Sequence, residues 1–284
     1  MNIFYKKNAL RDALKPYKEK HLKIGLVPTM GALHDGHISL VKQALNTCDV
    51  VVVSIFVNPT QFDNPDDLQK YPRTLPADTA MLSNSVTAEK VIVFAPSVEE
   101  VYGENLTSQS FDFGPIAKVM EGKYRDGHFD GVGTVLTKLF AAVNPHKAYF
   151  GEKDYQQLLI VKKLIEITHL PIEITGCPID REESGLARSS RNQRLTRQQK
   201  EQAAFIYQIL KELKNKFSSN SIENLRKFAT QAFEKHPYLE LEYLEIADAQ
   251  TLAPATTKKP NKKYRAFIAV YAEPVRLIDN IALN

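Results

Sequence analysis

The chain has 284 residues, 43% hydrophobic and 25% charged, enough to bury a core as one large domain or two smaller ones, and two is the expectation. Its 37 basic and 33 acidic residues leave a formal charge of +4, too mild a surplus to imply a nucleic-acid partner yet compatible with anionic small substrates. Cys48 and Cys177 are the only cysteines; neither has a Cys-x-x-Cys or Cys/His spacing, so both read as small core residues and no metal-ligating side chains are expected.

The opening residues MNIFYKKNALRDALKPYKEK put Ala9, Leu10, Ala13, Leu14 and Tyr17 at helical spacing and match neither a secretory signal nor a transit peptide. No apolar stretch reaches about 18 residues, so no membrane partner is expected and the cytoplasm is the expected location. Apolar β-rich runs at 24–27, 50–57, 91–94, 148–150 and 172–175 alternate with helical patterns such as Ile38, Val41, Leu45 and Leu158, Val161, Leu164, Ile165. A run apolar on consecutive positions, VVVVSIFV, suits a parallel sheet covered on both faces. The reading is an α/β fold: a doubly wound, Rossmann-like parallel-sheet domain over residues 1–178. After Pro178 the texture changes. A basic stretch at 181–200, a helical region from about Arg197 to His236 and alternating strands at 239–246, 266–272 and 275–278 read as a smaller α+β domain over residues 179–284, with 256–263 an exposed hairpin loop.

Ligands of doubly wound sheets bind at the carboxyl ends of the strands, and three polar runs sit there. The first is Pro28-Thr29-Met30-Gly31-Ala32-Leu33-His34-Asp35-Gly36-His37. Two histidines flank one glycine at a strand-to-helix turn, where unpaired N–H groups and the helix dipole favour a phosphate and imidazoles add donors. No GxxxxGK[ST] occurs, and the Gly131-Val132-Gly133 run lacks the third glycine of a dinucleotide fingerprint. The second run, SIFVNPTQF, presents the amides of Asn58 and Gln61, which donate and accept as a hydroxy-acid substrate requires; Asn58 alone also suits a turn before proline. In the third, Gly151-Glu152-Lys153-Asp154, Lys153 can reach phosphate oxygens, while Asp154 can hold a ribose hydroxyl or orient the lysine. A fourth loop at the domain joint, Arg188-Ser189-Ser190-Arg191-Asn192, reads as a phosphate clamp rather than a basic linker.

Taken in order, PTMGALHDGH, SIFVNPTQF, YPRT, RDGHFDGVGTVLTKLF, YFGEKDYQQL and GLARSSRN resemble the pantothenate synthetase (pantoate–β-alanine ligase) family over nearly the whole chain. That family shares its HxGH motif with the nucleotidylyltransferase superfamily and class I aminoacyl-tRNA synthetases. The resemblance implies ligation of pantoate and β-alanine through a pantoyl adenylate, with ATP as substrate, Mg2+ accompanying the triphosphate, and a homodimer. By motif, Met30, Gly31, Ala32, Leu33, His34, Asp35, Gly36 and His37 would line the ATP site, with His37 the proton donor and His34 and Lys153 beside it in catalysis. Gly151, Glu152, Lys153, Asp154, Arg188, Ser189, Ser190 and Arg191 would also contact ATP, and Asp180 would meet adenine through its backbone. Gln61 and Gln157 would hold pantoate, with Asn58 on the same side. Three positions depart from the family pattern: Asp126 replaces a common proline, Arg188 a common methionine, and Asp180 an apolar residue. A nucleotidylyltransferase accounts for HxGH but not for NPTQF or SSRN. A nucleic-acid-binding module using the bases at 188–200 and 258–265 predicts interleaved aromatics, and only Tyr264 qualifies.

Overall fold

The computed structural model describes residues 1–63 and 65–284. In chain order the elements are β1 (Asn2–Phe4), α1 (Lys7–Glu19), β2 (Ile24–Thr29), α2 (Asp35–Leu45), β3 (Val50–Ile55), α3 (Pro65–Lys70), α4 (Leu75–Ser85), β4 (Val91–Phe94) and α5 (Val98–Tyr102). They continue with α6 (Glu121–Tyr124), α7 (His128–Val143), β5 (Lys147–Gly151), α8 (Tyr155–Thr168), β6 (Glu173–Cys177), α9 (Arg197–Lys216), α10 (Ile222–Glu234), β7 (Glu240–Asp248), β8 (Tyr264–Ala272) and β9 (Val275–Ala282).

The first six strands form one parallel sheet in the order β1-β4-β3-β2-β5-β6. Its strands are apolar on consecutive positions because both faces are covered. Val50 and Val52 face a core built with α1, α7 and α8, while Val51 and Val53 face a second core with α2 and Leu82 of α4. The chain winds outward in one direction from β2 through β3 and in the other from β5 to β6, and the helices of these two connections lie on opposite faces. The sheet is therefore doubly wound, with its switch point between β2 and β5. These two strands pair only at Gly25 and Leu26, against Lys147 and Ala148, so their carboxyl ends part and a crevice opens there.

The remaining strands form a separate antiparallel sheet, β7-β8-β9. Helices α9 and α10 bury Ile206, Leu210, Leu213, Leu225 and Phe233 against Ile246, Ile268, Val270 and Leu277. The helical region expected over 197–236 is two helices, broken where Ser221 caps α10 by accepting the Asn224 N–H at 3.1 Å. A small apolar contact joins the two bodies: Phe267 packs with Met120, Leu252 and the partly buried Tyr155 and Leu159. Among the described residues no helix is long and apolar enough to cross a membrane.

Candidate active site

A cleft of about 610 Å3 runs from the switch point to the antiparallel sheet, a size suited to small-molecule substrates. The turn between β2 and α2 forms one wall. Ala32 there has φ 49°, the left-handed region that costs a residue with a Cβ. It is held by Asp78 of α4, buried at 3% exposure, whose carboxylate accepts the N–H groups of Ala32 at 3.1 Å and Leu33 at 2.8 Å. Thr74 donates its hydroxyl to the same carboxylate at 3.1 Å.

Beyond this turn the two histidines meet, with ring centroids 4.1 Å apart. Glycine is required between them, because a Cβ on Gly36 would lie 2.9 Å from the His34 ring. His37 Nδ1 accepts the His34 backbone N–H at 3.3 Å, so in the neutral ring the proton sits on Nε2. Burial, then the charges of Lys153 and Arg188, push His34 down to about 4; burial and neighbouring His34 push His37 down to about 3. Both rings are therefore neutral at pH 7, each carrying a single ring N–H.

Opposite, the loop after β5 carries Gly151, Glu152, Lys153 and Asp154. Lys153 Nζ lies 3.6 Å from Asp154 Oδ1. The loop is pinned from the smaller body by Asn280, whose side-chain amide donates to the carbonyls of Glu152 at 2.9 Å and Lys153 at 2.8 Å. Arg265 donates to Glu152 at 3.1 Å and covers the Tyr155 ring at 3.9 Å.

The amide loop after β3 places Gln61 in the cleft beside Met30, and Gln157 of α8 lines the same cavity. Asn58 is buried at 1% exposure, and its amide is consumed inside the protein, donating to Gly131 O at 3.2 Å and Gln61 Oε1 at 3.1 Å. Its place is therefore behind Gln61, with no donor left for a substrate. Gly131 itself is a seat: a Cβ there would lie 2.2 Å from the Thr60 carbonyl oxygen. Arg125 Nη2 and the His128 ring meet the Gln61 carbonyl at 3.3 and 2.8 Å.

The loop before α9 closes the cleft. Buried Ser190 donates to the Ala32 carbonyl at 3.0 Å, tying this loop to the histidine turn. Ser189 accepts the Arg191 N–H at 3.3 Å. Arg191 and Arg194 share the Asp67 carboxylate of α3 at 2.7 and 3.0 Å. Arg188 pairs with Asp180 at 2.8 Å and with Asp35, the first residue of α2, at 3.1 Å. Asp78, Asn280, His128 and the Tyr102 hydroxyl behind Asn58 (2.6 Å) are support groups that local sequence reading passes over, since each acts on a loop distant along the chain. Among the described residues no group of three or more His, Cys, Asp or Glu side chains is placed to hold a metal ion.

A doubly wound sheet with a neutral histidine pair at its switch point, and a second body reaching across it, defines a nucleotide-binding α/β enzyme of the HxGH class. Within that class the chain belongs to the pantoate-beta-alanine ligase family, whose model matches residues 2–282, and it is a ligase. It is 53% identical over 284 residues, 100% of both chains, to the pantothenate synthetase of Christiangramia forsetii. Its fold matches the crystal structure of pantothenate synthetase from Thermus thermophilus with a TM-score of 0.91 at 37% identity, covering 100% of this chain and 99% of that one. It also matches the pantoate-beta-alanine ligase of Francisella tularensis, solved with beta-gamma ATP and beta-alanine, with a TM-score of 0.82 at 39% identity over 100% and 98% of the chains.

Proposed function

We propose that this ligase uses ATP to join pantoate and β-alanine into pantothenate through a pantoyl adenylate, in one cleft. The observation that carries the reading is the placement of phosphate donors (His34, His37, Lys153) and the hydroxy-acid amides (Gln61, Gln157) around a single cavity. In the first step a pantoate carboxylate oxygen bonds to the α-phosphorus, and the bond to the β-phosphate oxygen breaks, releasing pyrophosphate. Charge grows on the leaving oxygens, so fixed donors serve better than a strong base. His37 Nε2–H, oriented by the bond at Nδ1, and Lys153 supply such donors; Gln61 and Gln157 hold the pantoate carboxylate and hydroxyl. In the second step the neutral amine of β-alanine attacks the acyl carbon, the bond from that carbon to the phosphate oxygen breaks so that AMP leaves with its electron pair, and the amide nitrogen sheds one proton to water.

Residues 30–37, 151–154, 180 and 188–191 form the ATP side in this reading. Ser190 serves it by holding the histidine turn, and Arg188 through its paired carboxylates. Asp154, which lines the cleft beside Lys153, suits Mg2+, which takes oxygen ligands from one or two carboxylates and substrate phosphates. When bound it would neutralise charge on the triphosphate. Residues 1–178 then form the substrate-binding domain and 179–284 a lid, supported by the two separate sheets and cores. A homodimer follows from the family resemblance and a cytoplasmic location from the sequence expectation above; sedimentation would test the assembly.

The assay incubates the protein with ATP, Mg2+ and pantoate while following pyrophosphate, then adds β-alanine and follows AMP and pantothenate. Pyrophosphate release indifferent to pantoate would overturn the reading. His37→Ala is expected to fold normally and form pyrophosphate about 10²- to 10³-fold more slowly.

A further inference from the structure

We infer that Tyr102 is a positioning residue that acts with the Gly131 carbonyl to hold which end of the Gln61 amide faces the substrate; this rests on the reading that Gln61 holds pantoate. The chain of constraints starts at a group that can only accept. Gly131 O is a backbone carbonyl, so the Asn58 atom 3.2 Å from it must be the nitrogen. That assignment places Asn58 Oδ1 on the opposite side, where the Tyr102 hydroxyl donates to it at 2.6 Å; Thr60 Oγ1, 3.2 Å from Oδ1 and 2.9 Å from the Tyr102 oxygen, has one proton to donate to either of them.

The second hydrogen of Asn58 Nδ2 then points to Gln61 at 3.1 Å. Two NH2 groups cannot face each other there, so Gln61 must turn its oxygen back toward Asn58. Its Nε2, against Met30 Sδ at 2.9 Å, is the end left on the cleft side. The polarity suits a carboxylate or hydroxyl oxygen of pantoate, which accepts. A reversed amide would set oxygen against oxygen. Tyr102 lies 44 positions from Asn58 along the chain and is 7% exposed. Nothing in its surroundings makes it a group that meets substrate, and among the described residues its hydroxyl has only Asn58 and Thr60 as partners, the latter at 2.9 Å.

The relay predicts a selective kinetic change. Tyr102→Phe is expected to raise the KM for pantoate about five- to tenfold, one neutral hydrogen bond's worth, with the KM for ATP and for β-alanine unchanged. Tyr102→Phe/Thr60→Val, which leaves Asn58 Oδ1 without a donor, is expected to approach the pantoate KM of Gln61→Ala. Thermal unfolding of each variant is followed in parallel, because a purely structural role would lower the midpoint and move all three KM values together. Three outcomes separate the ideas. Wild-type protein without pantoate-dependent pyrophosphate release overturns the underlying reading. Gln61→Ala raising the pantoate KM while both hydroxyl variants leave it unchanged overturns the relay alone. A pantoate-selective rise in both supports it.

Discussion

Asp180 and Arg188 each depart from the residue that the family resemblance predicts, an apolar side chain and methionine respectively, and the structure shows them departing together. The guanidinium of Arg188 lies 2.8 Å from Asp180 and 3.1 Å from Asp35, its side chain 28% exposed. A methionine beside an apolar residue needs no partner; an arginine beside two carboxylates is held in place by them. Exposed pairs of this kind are worth at most about 1 kcal/mol, so the effect on the nucleotide should be modest and compensable. Arg188→Met alone leaves Asp35 and Asp180 unneutralised beside the proposed ATP site, and the ATP KM is expected to rise about three- to fivefold, less at high salt. Adding Asp180→Val removes one of these carboxylates and should return the KM most of the way to wild type. If the double variant is no better than the single one, the two departures are unrelated.

The turn between β2 and α2 is assembled from elements distant in the chain. Asp78, in the first turn of α4, accepts two N–H groups of the left-handed turn at Ala32 and Leu33. Asp78→Asn keeps the shape but sets an NH2 against one of these donors, and an unsatisfied buried donor costs about 1–3 kcal/mol. Denaturant unfolding should show that loss, and pyrophosphate formation should fall with it because the histidines ride on this turn. Full stability in Asp78→Asn would mean the turn holds itself. Strands β2, β3 and β4 were legible because burial on both faces forces consecutive apolar positions. The histidine turn was legible because it lies within ten residues of one strand. Asp78 was not: an acidic residue in a first helical turn reads as an ordinary partner of the helix dipole. Nor was Tyr102, whose partner comes from another loop. Strand β1 has only three residues, too few to show a period, and the α9–α10 break is confined to the short polar run Ser218-Ser219-Asn220-Ser221, whose Ser219 and Asn220 side chains donate to the Lys216 carbonyl while Ser221 caps α10.

At the scale of the whole molecule the cleft proposed for the chemistry also gathers three buried imidazoles, His34, His37 and His128. Burial, with Arg125 adding to it, pushes His128 down to about 4, beside His34 at about 4 and His37 at about 3. Each binds a proton more readily in the unfolded chain, near 6.5. The unfolded state therefore holds more protons between pH 6.5 and about 4, and stability falls as pH falls through that window. Carboxylates act lower. Burial opposes ionisation of Glu121, but the bidentate Arg276 pair at 2.8 and 2.9 Å outweighs it and draws Glu121 down to about 2. Its stabilisation is complete above about 4.5 and is lost as pH falls toward 2. The two windows adjoin, so acid should first loosen the histidine cleft and then break the Glu121–Arg276 link between the two bodies. His128 isolates the first stage. It is 6% exposed, and its ring faces the Gln61 carbonyl, so full loss of its contribution amounts to roughly 3 kcal/mol. His128→Gln cannot titrate but keeps a donor for that carbonyl. Denaturant unfolding of wild type from pH 7 to 4.5 should show a steady loss of stability, and His128→Gln should flatten the slope by up to about one proton's worth, roughly 1.4 kcal/mol per pH unit. A wild-type stability that is level across this range would show that the buried imidazoles are not what the fold gives up to acid.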